Sequence, residues 1–243
     1  FAAVAVQNNY CRPAVDESGA IDIREGRHPV VERVLKDSLF VPNDTYLGIK
    51  GGLASFSHSH MDAGSFVFES QGVRWACDLG NQKYAPLEIA MKKLKKNLWD
   101  RSQKSGRWTV FRYNNYSHNT ITLNDNLHDA KGFASFTEII EKDNEKGVVI
   151  DMTEILKNEA ERAERTIRLV DNKDLVVSDM IQAPEDRSVS YTWRMTGNGE
   201  PVVGENGIVL KANGKTMYLR ADSNVKFKYL KSCRFCEIGR WMR

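Results

Sequence analysis

Two of the five histidines in this 243-residue chain, His58 and His60, stand two positions apart, and Asp62 follows at the same step. Imidazole nitrogens and carboxylate oxygens are common zinc ligands, so this segment predicts a metal site if the fold supplies a further ligand. In an extended segment alternate residues point the same way, about 6.6 Å apart, which would place all three side chains on one side. An HxH motif taken alone is equally compatible with histidines that cap turns and bond backbone carbonyls.

A predicted β-hairpin returns a second carboxylate to this segment. With a turn at residues 71–72, equal pairing would place Asp78 opposite Ser65, at the end of the hairpin nearest His60. His118, in "YNNYSHNTITLND", stands at the entry of another predicted strand and can add a nitrogen. The pattern therefore predicts that His60, Asp78 and His118 converge within metal-binding distance.

Short strand-like runs follow one another from Tyr46 onward, separated by turn residues. Their spacing of roughly 8–15 residues is typical of an all-β fold, an antiparallel β-sandwich. The predicted strands are 46–50, 65–70, 73–78, 119–123, 133–141, 147–155, 163–170, 175–182, 188–195, 207–211 and 216–220. Turn residues around Asn172 and at Asn213-Gly214 predict two hairpins.

One short helix is predicted in "PLEIAMKKLKKNLWD", with Pro86 at its first position. Its apolar residues recur at three- and four-residue steps, as expected of a helix with one buried face. This stripe consists of Leu87, Met91, Leu94 and Leu98. The opposite face carries Lys92, Lys93, Lys95 and Lys96, which we interpret as solvated rather than as a polyanion site.

Bulk composition narrows the class of protein without naming a function. Hydrophobic residues make up 41% and charged residues 28%, which is typical of a soluble globular protein. The net charge of +3 gives no case for nucleic acid as a partner, and no apolar run predicts a membrane span. No signal peptide is predicted at the N-terminus. A lone CxxC, Cys233 and Cys236, is interpreted as two thiols near solvent rather than half of a zinc ribbon.

Three segments taken together carry a resemblance to a known family. "YLGIKGG", "SHSHMDAGSFVFESQGVRWACDLG" and "RWTVFRYNNYSHNTITLND" resemble the heparinase II/III-like polysaccharide lyases, from about residue 46 to 230. The resemblance implies β-elimination of uronic-acid-containing glycans by an N-terminal α/α toroid packed on supersandwich-like C-terminal β-sheets. It also implies an anionic polysaccharide as partner, and a periplasmic or secreted location for the parent lyase.

The same resemblance assigns roles to individual residues. It implies that His58 faces the substrate, and that His60, Asp78 and His118 are the three protein ligands of a zinc ion. Most of the acid and base groups would lie on the toroid, so we expect this chain alone to be an inactive part of a lyase. Arg112 and Tyr113 are predicted to meet substrate carboxylates, although packing roles fit them equally well.

The first fifth of the chain resembles a different family. "IDIREGRHPVVERVLKDSLFVPNDTYL" is similar to the segment before the nucleotide-binding core of the DNA mismatch-repair MutS proteins. The phosphate loop expected next is absent from "GIKGGLASFSHSH", which has no Gly-Lys-Ser/Thr. We therefore predict an apparent chimera, with a small α/β fragment at 1–45 and the β-sandwich at 46–243. Residues 1–45 are expected to make few contacts with the sandwich.

Three functions remain open at this stage. The chain is an incomplete polysaccharide lyase, a non-catalytic carbohydrate-binding sandwich, or a fragment of a mismatch-repair ATPase. The glycan could be heparan-type, alginate or another uronate, and the site could hold zinc, calcium or no metal.

Overall fold

The computed structural model describes residues 45–205, 207–222 and 225–229. Within these ranges the chain forms twelve strands: β1 Thr45–Ile49, β2 Phe66–Ser70, β3 Val73–Ala76, β4 Ile121–Leu123, β5 Ser135–Glu141, β6 Glu145–Asp151, β7 Arg162–Val170, β8 Asp174–Gln182, β9 Tyr191–Trp193, β10 Glu200–Gly204, β11 Gly207–Ala212 and β12 Lys215–Arg220. The helices are α1 Tyr84–Lys93 and α2 Thr153–Leu156, and short 3-10 turns span Gly106–Thr109, Phe111–Tyr113 and Asn115–Ser117. The predicted fragment 1–45, except its last residue, and the CxxC pair lie outside the described residues.

The strands form four antiparallel sheets, in agreement with the predicted fold class. The sheets are β1-β2-β3, β5-β6-β7-β8, β4-β9 and β10-β11-β12. Both predicted hairpins are confirmed, because Asp171, Asn172, Asn213 and Gly214 all adopt the positive φ that tight hairpin turns require. The sheet β5–β8 is a meander in which each strand pairs with the next along the chain.

One large apolar core joins the sheets. Its fully buried members include Phe66 and Trp75 from the first sheet, Ile121 from β4, and Ile150 and Ile167 from the meander. Burial of apolar side chains from several sheets in one cluster is what stabilises a sandwich.

Helix α1 covers a second, smaller core that also anchors the histidine segment. Leu87 and Met91 from the helix pack there with Trp108 and Tyr113 from the 3-10 turns. Met61, the residue after His60, is buried in the same cluster. The helix and the turns therefore hold one end of the segment that carries the predicted metal ligands.

The predicted helix is confirmed, but both of its ends differ from the prediction. It begins at Tyr84, so Pro86 is the third residue; proline is tolerated there because the first backbone N–H groups of a helix have no partner. It ends at Lys93, and Lys95 adopts a left-handed φ of 55°. Leu98 lies beyond the helix and still packs into the second core.

Two predicted strands need correction, and one strand was not predicted. The end of the predicted strand 147–155 forms helix α2 instead, so the described residues contain two short helices rather than one. At the start of α2 the Thr153 N–H donates to the Asp151 carboxylate at 2.9 Å. The predicted strand 188–195 is shortened to β9, and β10 was missed because its Gly- and Pro-containing sequence is typical of turns.

Within the part of the chain that the structure describes, no helix combines the length and apolar character needed to cross a bilayer.

Candidate functional site

The HxH segment forms a turn rather than the extended chain that alternation predicted. His58 adopts a left-handed φ of 62°, and the Ser59 N–H donates to the carbonyl of Phe56 at 3.3 Å. Because the backbone reverses here, the two histidines do not share one side: His58 is exposed and His60 is buried. The sequence prediction of one common face was therefore wrong, and the turn separates a solvent-facing histidine from an interior one.

His58 is paired with a tyrosine that the sequence analysis did not identify. Its Nδ1 lies 3.0 Å from the hydroxyl of Tyr84, the first residue of α1. The Tyr84 ring in turn lies 5.2 Å from the ring of Trp99, measured between centroids. Trp99 is 47% exposed, so the aromatic pair beside His58 is open to solvent.

His60 is buried in a stack of rings. Its ring centroid lies 4.5 Å from that of Tyr113 and 5.5 Å from that of His118. Burial is the main cause that lowers the pKa of His60 to about 4, while the Asp62 carboxylate acts in the opposite direction. The imidazole is therefore neutral near pH 7, which is the state that a metal ligand requires.

His118 is completely buried, and its two nitrogens have different surroundings. Nδ1 lies 2.5 Å from Oδ2 of Asp78, whose other oxygen accepts from the Gly80 N–H at 2.7 Å. Burial is the largest single influence on the pKa of Asp78 and would raise it, but the hydrogen bonds from His118 and Gly80 and the charges of His118 and His60 together lower it. Nε2 is buried without a hydrogen-bond partner among the described residues. With Nδ1 engaged by a carboxylate, Nε2 carries the lone pair that can bind a metal.

A carboxylate that the predicted ligand set omitted joins this cluster. Ligand atoms of His60, Asp62 and His118 all lie within 4.8 Å of one another. Asp62 also forms an ion pair with Lys50, with Oδ2 and Nζ 2.6 Å apart. The HxHxD spacing was the signal that could have identified Asp62, but the prediction assigned the ligand role to Asp78.

The predicted hairpin brings Asp78 to the cluster by a different route from the one expected. Ser70 pairs with Val73 as predicted, but Phe68 pairs with Ala76, so an extra residue lies in β3. This bulge breaks the equal pairing that would have placed Asp78 opposite Ser65, and Asp78 lies two residues beyond the end of β3. Its contact with His118 therefore depends on the loop after the strand.

Arg112 and Tyr113 support the site from behind. Tyr113 is 0% exposed, which corrects the prediction of a substrate contact, because its ring is enclosed between His60 and Arg107. The Arg112 guanidinium is half-buried and donates to the carbonyls of Leu79 and Asn81 at 2.7 and 3.1 Å. These bonds hold the segment after Asp78, and a substrate contact by Arg112 stays a prediction.

Arg107 is a buried cation that the sequence analysis missed. Its guanidinium lies 4.3 Å from the centroid of the Tyr113 ring, within the range of cation–π attraction. Nη2 donates to the carbonyl of Ser59 at 3.0 Å, and Nη1 donates to that of Leu98 at 3.1 Å. Ser59 lies between the two histidines, so Arg107 stabilises the turn that separates them.

Comparison with known families decides which kind of protein carries this arrangement. The family model described as heparinase II/III-like, C-terminal, matches residues 33–242. The chain belongs to the heparinase II/III-like family. Its described site residues all lie inside that match.

Solved structures of the heparinase II/III-like type share the fold. The heparinase III BT4657 gene product is similar with a TM-score of 0.51 and 21% identity, over 68% of this chain and 23% of that one. A mutant of the heparan sulfate lyase HepC from Pedobacter heparinus gives a TM-score of 0.52 and 16% identity, over 72% of this chain and 25% of that one. This heparinase II/III-like chain therefore spans about a quarter of the length of these lyases.

A short similarity to mismatch-repair proteins accompanies the heparinase-like match. The chain is 57% identical over 47 residues to the MutS protein of Alkaliphilus oremlandii, which is 19% of this chain and 5% of that protein. It is 63% identical over 47 residues to the MutS protein of Syntrophomonas wolfei, covering 6% of that protein. The resemblance to MutS proteins noted in the sequence is therefore confirmed, and it is limited to a short segment.

Proposed function

We propose that this chain is the β-sandwich part of a polysaccharide lyase that cleaves uronic-acid-containing glycans by β-elimination. The observation that carries the proposal is the exposed His58, held by the Tyr84 hydroxyl beside a buried cluster of metal-type ligands. Membership of the heparinase II/III-like family supports the reaction class.

β-Elimination makes three demands on a site. The uronate charge must be neutralised while the adjacent carbon loses its proton, a base must take that proton, and an acid must protonate the leaving glycosidic oxygen. His58 can offer a hydrogen bond or a positive charge to the carboxylate, because its ring is exposed and Tyr84 engages only Nδ1. The remaining acid and base groups are proposed to come from an α/α toroid.

The buried cluster is proposed to hold zinc through His60, Asp62 and His118, whose ligand atoms lie within 4.8 Å of one another. Asp78, which the sequence predicted as the carboxylate ligand, is proposed instead to orient His118 through Nδ1. Two imidazoles suit zinc, whereas calcium prefers a set of oxygen ligands. Nε2 of His118 is buried and has no hydrogen-bond partner in the described part of the chain, which supports a bound metal ion at this position. A bound ion would cross-link the loop that carries His60 to the loop that carries His118, and would so maintain the turn that presents His58.

A non-catalytic carbohydrate-binding sandwich is the second candidate for this chain. The exposed ring of Trp99 beside Tyr84 favours it, because aromatic faces commonly contact sugar rings in glycan-binding sites. This role needs no acid or base, so the toroid would not be required. The parent protein of either type is proposed to act in the periplasm or outside the cell, where its polysaccharide is found.

The experiment compares the 243-residue chain with a form completed by an α/α toroid. Each is incubated with heparan sulfate and with alginate in the presence of zinc, and the unsaturated product is followed by its ultraviolet absorbance. We expect no turnover by the chain alone, turnover by the completed form, and a strong loss on His58→Ala.

Two results would contradict parts of this proposal. Turnover by the chain alone that is abolished by His58→Ala would show that the sandwich already holds a complete site. Glycan binding by the completed form is measured by calorimetric titration. Binding without turnover would exclude the lyase reaction on these glycans and favour the carbohydrate-binding role.

A further inference from the structure

A fully buried arginine lies in the apolar core beneath the candidate site. Arg165 is 0% exposed and lies on β7 between the buried residues Ala163 and Ile167. Its Nε and Nη2 donate to the two oxygens of Asp179 on β8, at 2.6 and 2.8 Å. A charge is tolerated at such a position only when it is paired and hydrogen-bonded, and this two-pronged ion pair meets that need.

The third guanidinium nitrogen of Arg165 faces the candidate site instead of the sheet. Nη1 donates to the carbonyl of Gly64 at 2.8 Å and to the carbonyl of Asn119 at 3.3 Å. Gly64 comes two residues after Asp62, and Asn119 comes directly after His118. One nitrogen therefore joins the two backbone segments that carry the clustered ligands.

Asn119 extends this link to the segment that carries Asp78. Its amide nitrogen donates to the carbonyls of Phe66 and Cys77, at 2.7 and 3.0 Å, and Cys77 directly precedes Asp78. The Thr120 hydroxyl donates to the carbonyl of Ala63 at 2.8 Å, which adds a second connection between the loops. The backbones before Asp78, after Asp62 and after His118 are thus held in one hydrogen-bonded group centred on Arg165 and Asn119.

We propose that Arg165 is a positioning residue that sets the spacing of His60, Asp62 and His118 by holding the Gly64 and Asn119 carbonyls together. The inference rests on the metal site proposed above. Ligand geometry must be held within about 0.5 Å for tight binding, and the flanking carbonyls are what Arg165 restrains. Lysine cannot replace it, since one ammonium group cannot span the Asp179 carboxylate and both carbonyls.

The test compares Arg165→Lys with a matched control on the same strand. Arg168 is ion-paired to Glu145, with Nη1 and Oε1 2.7 Å apart, and makes no described contact with either ligand loop. Zinc affinity is measured by competition with a chromophoric chelator, and ligand geometry by the visible spectrum of bound cobalt(II). We expect Arg165→Lys to lose about 10–100-fold in zinc affinity and to shift the cobalt spectrum, while Arg168→Lys does neither.

Amide hydrogen exchange supplies a readout that does not depend on metal. We expect faster exchange in residues 59–66 and 117–121 of Arg165→Lys, and parental exchange in Arg168→Lys. A folded Arg165→Lys with parental zinc affinity and parental exchange in these loops overturns the inference. If the parent binds no zinc, the metal-site proposal fails, and the exchange comparison alone decides the positioning role.

A second variant covers the case in which Arg165→Lys does not fold. Arg165→Met combined with Asp179→Leu removes both buried charges, which leaves no unpaired ion in the core. We expect it to fold and to show the same loss of affinity and loop protection. If this double variant also fails to fold, Arg165 is needed for the fold as a whole and the specific positioning role is rejected.

Discussion

The carboxylate of Asp78 lies 2.5 Å from Nδ1 of His118, although 40 residues separate the two in the chain. This contact orients the imidazole and leaves its other nitrogen buried and without a described partner. A carboxylate behind a histidine is a common way to orient a metal ligand and increase its basicity. The site proposal depends on this pair more than on any single residue.

Replacing Asp78 by asparagine tests that dependence. Asp78→Asn keeps the size of the side chain but removes the charge that orients His118, so we expect zinc affinity to fall by about 10–100-fold. The control is Asp129→Asn, which removes a carboxylate that pairs with Lys157 at 3.0 Å outside the cluster. Competition with a chromophoric chelator measures both variants, and equal affinities for Asp78→Asn and the parent would count against the zinc site.

The two histidines of the turn should respond differently to substitution. His58→Ala removes an exposed ring whose described hydrogen bond is to Tyr84, so zinc affinity and thermal stability should be close to those of the parent. His60→Ala removes a buried ring from the stack with Tyr113, so we expect both zinc affinity and thermal stability to fall. Chelator competition and thermal unfolding provide the readouts. A His58→Ala variant that loses zinc affinity would show that the division between the two histidines is wrong.

Stability should fall in mild acid because of a third buried histidine, His128. Burial lowers the pKa of His128 from 6.5 to about 4, and its Nε2 donates to the carbonyl of Ile121. Between about pH 6.5 and pH 4 the unfolded chain binds a proton that the folded chain does not, so stability declines as the pH falls through this window. The full effect is at most about 3.5 kcal/mol, from a shift of about 2.5 pKa units at roughly 1.4 kcal/mol per unit.

His128→Gln isolates this contribution, since glutamine does not titrate and can still donate to the Ile121 carbonyl. Urea unfolding at pH 7 and pH 5 should show a smaller loss for the variant than for the parent. His60, whose pKa is also lowered to about 4, remains in both proteins and cancels in the comparison. An equal loss in the two proteins would show that His128 is not the buried titrating group.

Gly64 should be sensitive to a single added methyl group. It has a positive φ of 74°, and a Cβ there would lie 2.5 Å from Cε of Met152. Gly214 has a similar φ of 71° but open space around it, so Gly214→Ala measures the backbone strain alone. We expect Gly64→Ala to destabilise the chain more than the control, and to weaken zinc binding because Gly64 contacts Arg165. Equal losses of stability would show that Met152 moves aside freely.

The local pattern of the sequence was sufficient to predict most of the fold. Alternating apolar residues and turn residues such as Asn172 and Asn213-Gly214 located nearly all strands, because strand periodicity and positive-φ turns depend on near neighbours in the chain. The family motifs identified His58, His60, Asp78 and His118 as a group. The exact ends of the helix and strands depended on packing, which is why Pro86 and the segment 153–156 were misassigned.

Only the tertiary structure decided how the site is built. The bulge in β3 placed Asp78 beyond its strand, the left-handed turn at His58 separated two neighbouring histidines, and the start of α1 brought Tyr84 to His58. The bond from Arg165 to Gly64 joins residues 101 positions apart. No local pattern encodes such contacts, because they arise from which buried polar groups find partners once the sheets pack against each other.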